Sequence, residues 1–307
     1  MNTFEARKNP WSDLILLLAI TLGTSLAVQV PVLLVGIVVS DDIQAVLSDT
    51  NTLYTTNRYF IYLLFVSSSI GTFLLPAYIF HRMNRASQIF PSENLRYWKV
   101  YVVGILFLFS FGPLMSLISE WNMQMKLPDS LRDVEKWMRA QEDNMAQITQ
   151  QAVMVDDVGK LLLNLLAIAV LPAIGEEFFF RGALQDILKR IFKNESVAVW
   201  IGAIIFSAIH VQFYGFFPRF LLGLFFGYLL VWTRNIWIPV LAHFVNNASV
   251  VLLAFYYTSQ GKSYAELMAS DSFPIIVYLG SFIMSVAIAY WFYRYSTKKQ
   301  LYGERLD

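Results

Sequence analysis

Apolar residues along this chain gather in long runs separated by short polar stretches. Eight runs stand out, roughly 14–39, 59–80, 100–120, 161–182, 197–212, 216–233, 236–257 and 274–293. A helix needs about 17–25 apolar residues to cross a bilayer. The pattern therefore predicts an all-α fold, a polytopic transmembrane helix bundle of about eight spans. Runs five and six are short and are joined by "QFYGFFP".

One polar stretch has a rhythm of its own. Between 121 and 160 lies "LRDVEKWMRAQEDNMAQITQQAVM", where Val134, Trp137, Met138, Met145 and Ile148 recur at near-helical spacing among charges. That pattern fits a helix lying flat at the outer membrane interface, either as a lid or substrate rest or as a connector with a greasy face. The chain then divides into an N-terminal transmembrane region, 1–160, with the outer interfacial loop or helix at 121–160. A second region, 161–257, holds the candidate chemistry, and 258–307 form the final span and a tail. No internal repeat or low-complexity tract is visible.

Composition agrees with this reading. The chain of 307 residues is 57% hydrophobic and 16% aromatic, with only 15% charged residues, against about 25% charged in a typical soluble domain. Cysteine is absent, which removes disulfides, thiolate nucleophiles, Cys-based metal sites and thiol lipidation. The start, "MNTFEARKNPWSD", is polar and runs into a span too long for a signal peptide, so it is expected to be retained. A net charge of +1 says nothing about partners; the partners expected are the lipid bilayer and a membrane-associated peptide or protein, and no nucleic acid.

Orientation follows from the distribution of lysine and arginine. Arg7, Lys8, Arg82, Arg85, Arg96, Lys99, Arg181, Lys189, Arg190, Lys193, Arg234, Arg294, Lys298, Lys299 and Arg305 fall on one side. The other side holds fewer, and most of those lie in the long 121–160 loop, where the bias carries little weight. Both termini are expected in the cytoplasm of a bacterial-type plasma membrane, with the paired glutamates in the cytoplasmic half of span four.

Ionisable residues inside spans cost about 2.5–3.5 kcal/mol each on insertion scales and mark function. Span four carries Glu176, Glu177 and Arg181; span five has His210; span seven has His243 with Asn246 and Asn247. Arg219 stands near the outer end of span six, where it can snorkel. His81 begins a basic loop and reads as an interfacial residue. Glu177 and Arg181, four apart, share a helix face and can pair. Glu176 points about 100° away from Glu177 and is left to face a cavity. His243 and Asn247, and Phe206 and His210, are also four apart. A desolvated glutamate can work as a general base near neutral pH, a histidine can share or relay the proton, and a second histidine with an asparagine can donate to an oxyanion. Ser207 lies beside the "FSAIH" positions without a base assigned to it. The clustered phenylalanines, Phe178 to Phe180 and "FYGFF" at 213–217, either line a lipid-like groove or pack between helices. A membrane protein with intramembrane Glu, His and Arg could also be a proton-coupled transporter, and Pro172 could break span four as transporter helices are broken; no inverted repeat shows.

"EEFFFR" (176–181), "FSAIH" (206–210) and "HFVNN" (243–247) fit the patterns EExxxR, FxxxH and HxxxN. In this order, within apolar spans, they resemble the three motifs of the CPBP family of CAAX-protease and bacteriocin-processing membrane proteins, also called the Abi family, over roughly 161–255. The resemblance implies an intramembrane endopeptidase of the type II CAAX prenyl endopeptidase kind. Its substrate would be a CAAX-type or a bacteriocin- or signal-like peptide. It further implies catalytic residues Glu176, His210, His243 and Asn247. Glu176 with His210 would activate water and His243 with Asn247 would stabilise the oxyanion, while Glu177, Arg181 and Phe206 support the site. No cofactor is favoured; the alternative is Zn held by Glu176, His210 and His243, although no HExxH is present. A non-proteolytic scaffold or immunity protein on the same fold is the other alternative. The residues are expected to border one cavity open toward the cytoplasm.

Overall fold

The computed structural model describes residues 9–40, 43–48, 58–84, 98–269 and 272–302. Arg7, Lys8, Arg85, Arg96 and Arg305 of the orientation argument lie outside the described residues. Among the described residues the chain is helical and has no β-strand. The architecture rests on α1 (Pro10–Val39), α2 (Arg58–Met83), α3 (Trp98–Met123), α4 (Arg132–Val153) and α5 (Val158–Phe192). It continues through α6 (Glu195–Ala208), α7 (Phe216–Thr233), α8 (Trp237–Ser259) and α9 (Ile275–Tyr302). All except α4 and α6 are long and apolar enough to cross a membrane. This is an all-α, polytopic bundle.

Helix starts follow local sequence. Asn9 accepts the Trp11 N–H at 3.0 Å with Pro10 at the first helical position of α1. Asp157 caps α5 by accepting from Lys160 N–H, and Asn194 caps α6 by accepting from Val197 N–H. Short oxygen-bearing side chains at such positions satisfy N–H groups that the first turn leaves unpaired. Leu18, Leu22 and Leu26 on α1, and Ile276, Ile283 and Met284 on α9, are more than half exposed. Such a surface is stable only against lipid, where a helix keeps all its backbone hydrogen bonds internal.

Three helices break that internal ladder, and neighbours mend it. In α2 the Leu75 N–H bonds to Ile70, five residues back instead of four, just before Pro76. The hydroxyl of Thr24 on α1 donates to the nearby Gly71 carbonyl at 2.7 Å. In α3, around Pro113, the Ser281 hydroxyl of α9 accepts from Leu114 N–H at 3.3 Å and donates to the Ser110 carbonyl at 2.7 Å. In α5, wide π-turns cover Leu165–Val170 and Phe178–Leu184 on either side of Pro172 and the paired glutamates. Such turns are frequent at functional sites.

α5 runs through the centre of the bundle and crosses α2 at Gly175. A Cβ there would stand 3.1 Å from the Ser69 carbonyl oxygen and 3.3 Å from the Phe73 Cβ. Overpacking of this kind costs about 1–3 kcal/mol. Gly175→Val should therefore lower the unfolding midpoint in detergent, whereas Gly23→Ala on α1, with nothing within 4 Å of its added carbon, should leave it in place. Phe179 and Phe180 are buried against Phe73 and Phe206 at ring separations of 5.7 and 5.2 Å, so these two pack between helices.

The fifth predicted span needs correction. The sequence indicates 197–212, but α6 stops at Ala208 after 14 residues. At 1.5 Å per residue that is about 21 Å, short of the roughly 30 Å of hydrocarbon. Apolarity continues beyond the helix, but the backbone does not: Val211 adopts a left-handed conformation, φ 54°. His210 therefore lies in the turn after the helix.

Candidate active site

Three helices bring the ionisable residues together. Glu176 and Glu177 stand at the middle of α5, on the turn leading into its second π-turn. Both are buried, Glu177 completely. As the four-residue spacing predicts, Arg181 donates through Nη1 to Glu177 Oε1 at 3.1 Å. Its Nη2 donates to the Gly223 carbonyl of α7 at 2.9 Å, and its guanidinium lies 4.6 Å from the Phe206 ring centre.

Glu177 does more than neutralise this arginine. The same Oε1 lies 2.8 Å from His243 Nδ1, so a carboxylate–imidazole pair links α5 to α8. Local spacing cannot reveal a bond between helices 66 residues apart. The His243 ring stacks on Phe226 at 5.0 Å, and its Nε2 faces Glu176 Oε2 at 3.9 Å, the outer limit of an ion pair. Thus one carboxylate is bonded to the imidazole and its neighbour faces the opposite ring nitrogen at longer range.

His210 reaches the site from the end of α6. Its Nδ1 lies 2.8 Å from the Phe206 carbonyl oxygen. A carbonyl can only accept, so Nδ1 carries the proton and in the neutral ring the lone pair is on Nε2. The Phe206 ring meets both histidines in edge-on contacts, 5.3 Å from His210 and 6.1 Å from His243. Ser207 is engaged elsewhere, donating its hydroxyl to the Phe216 carbonyl at 2.6 Å.

Asn247 is on the same helix as His243, but its amide is committed to the backbone. Pro172 has no N–H to return to the Ile168 carbonyl four residues earlier, and Asn247 Nδ2 donates to that oxygen at 3.0 Å. Asn246 Nδ2 in turn donates to Asn247 Oδ1 at 3.1 Å. A carbonyl left without a donor costs about 1–3 kcal/mol, which is the loss of stability expected for Asn247→Ala. In Pro172→Ala, where the backbone can supply the N–H, the same change should cost markedly less. Chemical unfolding of the four proteins checks that cycle.

An apolar cleft of about 390 Å³ lies between α3, α5 and α8, lined by Tyr101, Ala173, Ile174, Trp237, Leu241 and Phe244 among others; Glu176, His210, His243 and Asn247 are not part of its lining. As the side chains stand, no three His, Cys, Asp or Glu among the described residues, Glu176, His210 and His243 included, are grouped as metal ligands.

Residues 158–249 match the family described as type II CAAX prenyl endopeptidase Rce1-like. The matched segment contains the "EEFFFR", "FSAIH" and "HFVNN" stretches, in agreement with the resemblance drawn from them. The chain is also similar to an uncharacterized protein of Bacillus subtilis (strain 168), YpbD, at 27% identity over 89 residues. That similarity covers 28% of this chain and 42% of the relative's length. No solved structure matches.

Proposed function

From a CAAX-endopeptidase-like segment set in a multi-pass membrane protein, we propose that the chain is an intramembrane endopeptidase that hydrolyses a peptide bond of a membrane-associated protein or peptide with a water activated by Glu176. The observation that carries this reading is the placement of a buried Glu176 opposite a histidine whose far side is held by a second carboxylate.

Glu176 takes a proton from the attacking water as its oxygen bonds to the scissile carbonyl carbon, and His210, with its Nε2 lone pair, holds that water. His243, in its protonated form, donates to Glu177 through Nδ1 and to the oxyanion through Nε2, joined by the second amide hydrogen of Asn247. Glu176 then passes the proton to the leaving amine as the C–N bond breaks. Preorganised donors in a site shielded from water are worth far more than the same donors in solution. Glu177 and Arg181 act through His243 and do not touch the substrate. The apolar cleft beside Ala173 and Phe244 suits a hydrophobic portion of the substrate, and the lysine and arginine bias supports cytoplasmic termini when the short α6 counts as an eighth crossing.

The test is a cleavage assay with purified protein in liposomes against a library of membrane-associated peptides, with products identified by mass. Cleavage that survives a chelator supports the glutamate mechanism, and loss on chelation moves the reaction to a metal. An absence of products across the library, with a protein that still binds a partner intact, favours the scaffold reading.

A further inference from the structure

The turn that carries His210 is gripped by residues that none of the motifs contains. Val211, immediately after the histidine, has φ 54°. For a β-branched residue this left-handed conformation is a true outlier, kept only where the surroundings over-determine it. Those surroundings come from α4, α3 and α7. The Glu142 carboxylate of α4 accepts from Gln212 Nε2 through Oε1 and from the Tyr214 N–H through Oε2, both at 3.3 Å. Arg219 of α7 donates to the Gln212 carbonyl at 3.1 Å and to Gln212 Oε1 at 2.7 Å. Gly215 leaves room for that guanidinium; a Cβ there would stand 2.7 Å from Arg219 Nη2. Asn122 at the end of α3 donates to the Phe213 carbonyl and accepts from the Phe217 N–H.

We infer that Glu142 is a positioning residue: with Arg219 and Asn122 it braces residues 212–217, holds Val211 in its strained conformation and so aims the His210 ring into the site. This rests on the endopeptidase reading for its catalytic meaning, but the brace itself is a property of the fold. Three features argue for it. The strain and the grip are adjacent in sequence. The grip is built from charged and amide side chains of three separate helices. Burial raises the Glu142 carboxyl above its ordinary value, and Arg219, the Tyr214 N–H and Gln212, the groups it clamps, offset part of that rise. The amphipathic segment 121–160 thereby gains a task beyond connection: it fixes the depth and direction of a histidine about 70 residues further along the chain.

The chain has only three histidines, so selective ring-nitrogen labelling of the full-length protein in nanodiscs reads each one by NMR. In Glu142→Ala the His210 signals should lose the single Nδ1–H tautomer, while those of His81 and His243 stay in place. Glu142→Gln, which keeps an acceptor, should lie between Ala and wild type. Adding Val211→Gly to Glu142→Ala should restore the wild-type pattern in large part, because glycine adopts the left-handed conformation freely. In the cleavage assay, Glu142→Ala should lower kcat about tenfold or more with KM changed less than twofold, and should cost nothing further in a His210→Ala background. Unmoved His210 signals in Glu142→Ala, or equal movement of all three histidines, overturns the brace. A wild type that cleaves nothing overturns the endopeptidase reading alone, since the NMR result stands without it.

Discussion

Glu176→Gln is expected to abolish peptide hydrolysis, with kcat down by about 10²- to 10⁴-fold, the usual contribution of a positioned general base. The amide has the volume of the carboxylate and can still face His243 Nε2, 3.9 Å away in the wild type, but it cannot take a proton from water. Folding should be spared, because Glu176 holds neither the arginine nor the Nδ1 side of His243; both belong to Glu177. Product formation measured by mass spectrometry, with binding of an uncleaved substrate followed separately, separates the two effects. A Glu176→Gln protein that cleaves at more than a tenth of the wild-type rate would remove this carboxylate from the chemistry.

Arg181→Leu should instead act on stability. The guanidinium is 3% exposed, bonds Glu177 and the Gly223 carbonyl, and lies over the rings of Phe206 and Phe226. Removing one partner of a buried ion pair strands the other charge and costs about 3–5 kcal/mol, a large part of a typical total of about 5–15 kcal/mol. Poor recovery and an early unfolding transition in detergent are the expected results. The double substitution Glu177→Gln with Arg181→Leu removes both charges and should regain much of that stability. Hydrolysis should not return with it, because His243 Nδ1 then faces a neutral amide. Recovery of both stability and cleavage would show that Glu177 does nothing beyond neutralising Arg181.

Much of this site can be read from spacing along one helix, and what cannot be read lies between helices. Glu177 with Arg181 and His210 with the Phe206 carbonyl are contacts four residues apart, fixed by helix pitch. Glu177 with His243, Asn247 with Ile168 and Glu142 with Gln212 join different helices, and neither hydropathy nor periodicity encodes such partners. Pro172 is visible in the sequence as a break; the asparagine that mends it is not. The end of α6 escapes for another reason. Ile209 and Val211 are as apolar as the helix before them, so hydropathy carries the span to 212, while a left-handed backbone at Val211 ends it early. The near-helical spacing of Val134, Trp137, Met138, Met145 and Ile148 correctly indicates the helix now seen as Arg132–Val153. Its grip on the following turn comes from Glu142, on a polar stretch that periodicity treats as a solvated face.

The shortness of α6 reaches beyond the protein. Val197, Trp200 and Ile204 turn outward along its length, so acyl chains on that flank would meet a helix of about 21 Å where the hydrocarbon is about 30 Å thick. Lipids relieve such mismatch by thinning locally, at a fraction of a kcal/mol per ångström. Thinning of that kind is expected beside the helix that leads to His210, and on the endopeptidase reading a peptide segment arriving there would have less hydrocarbon to leave.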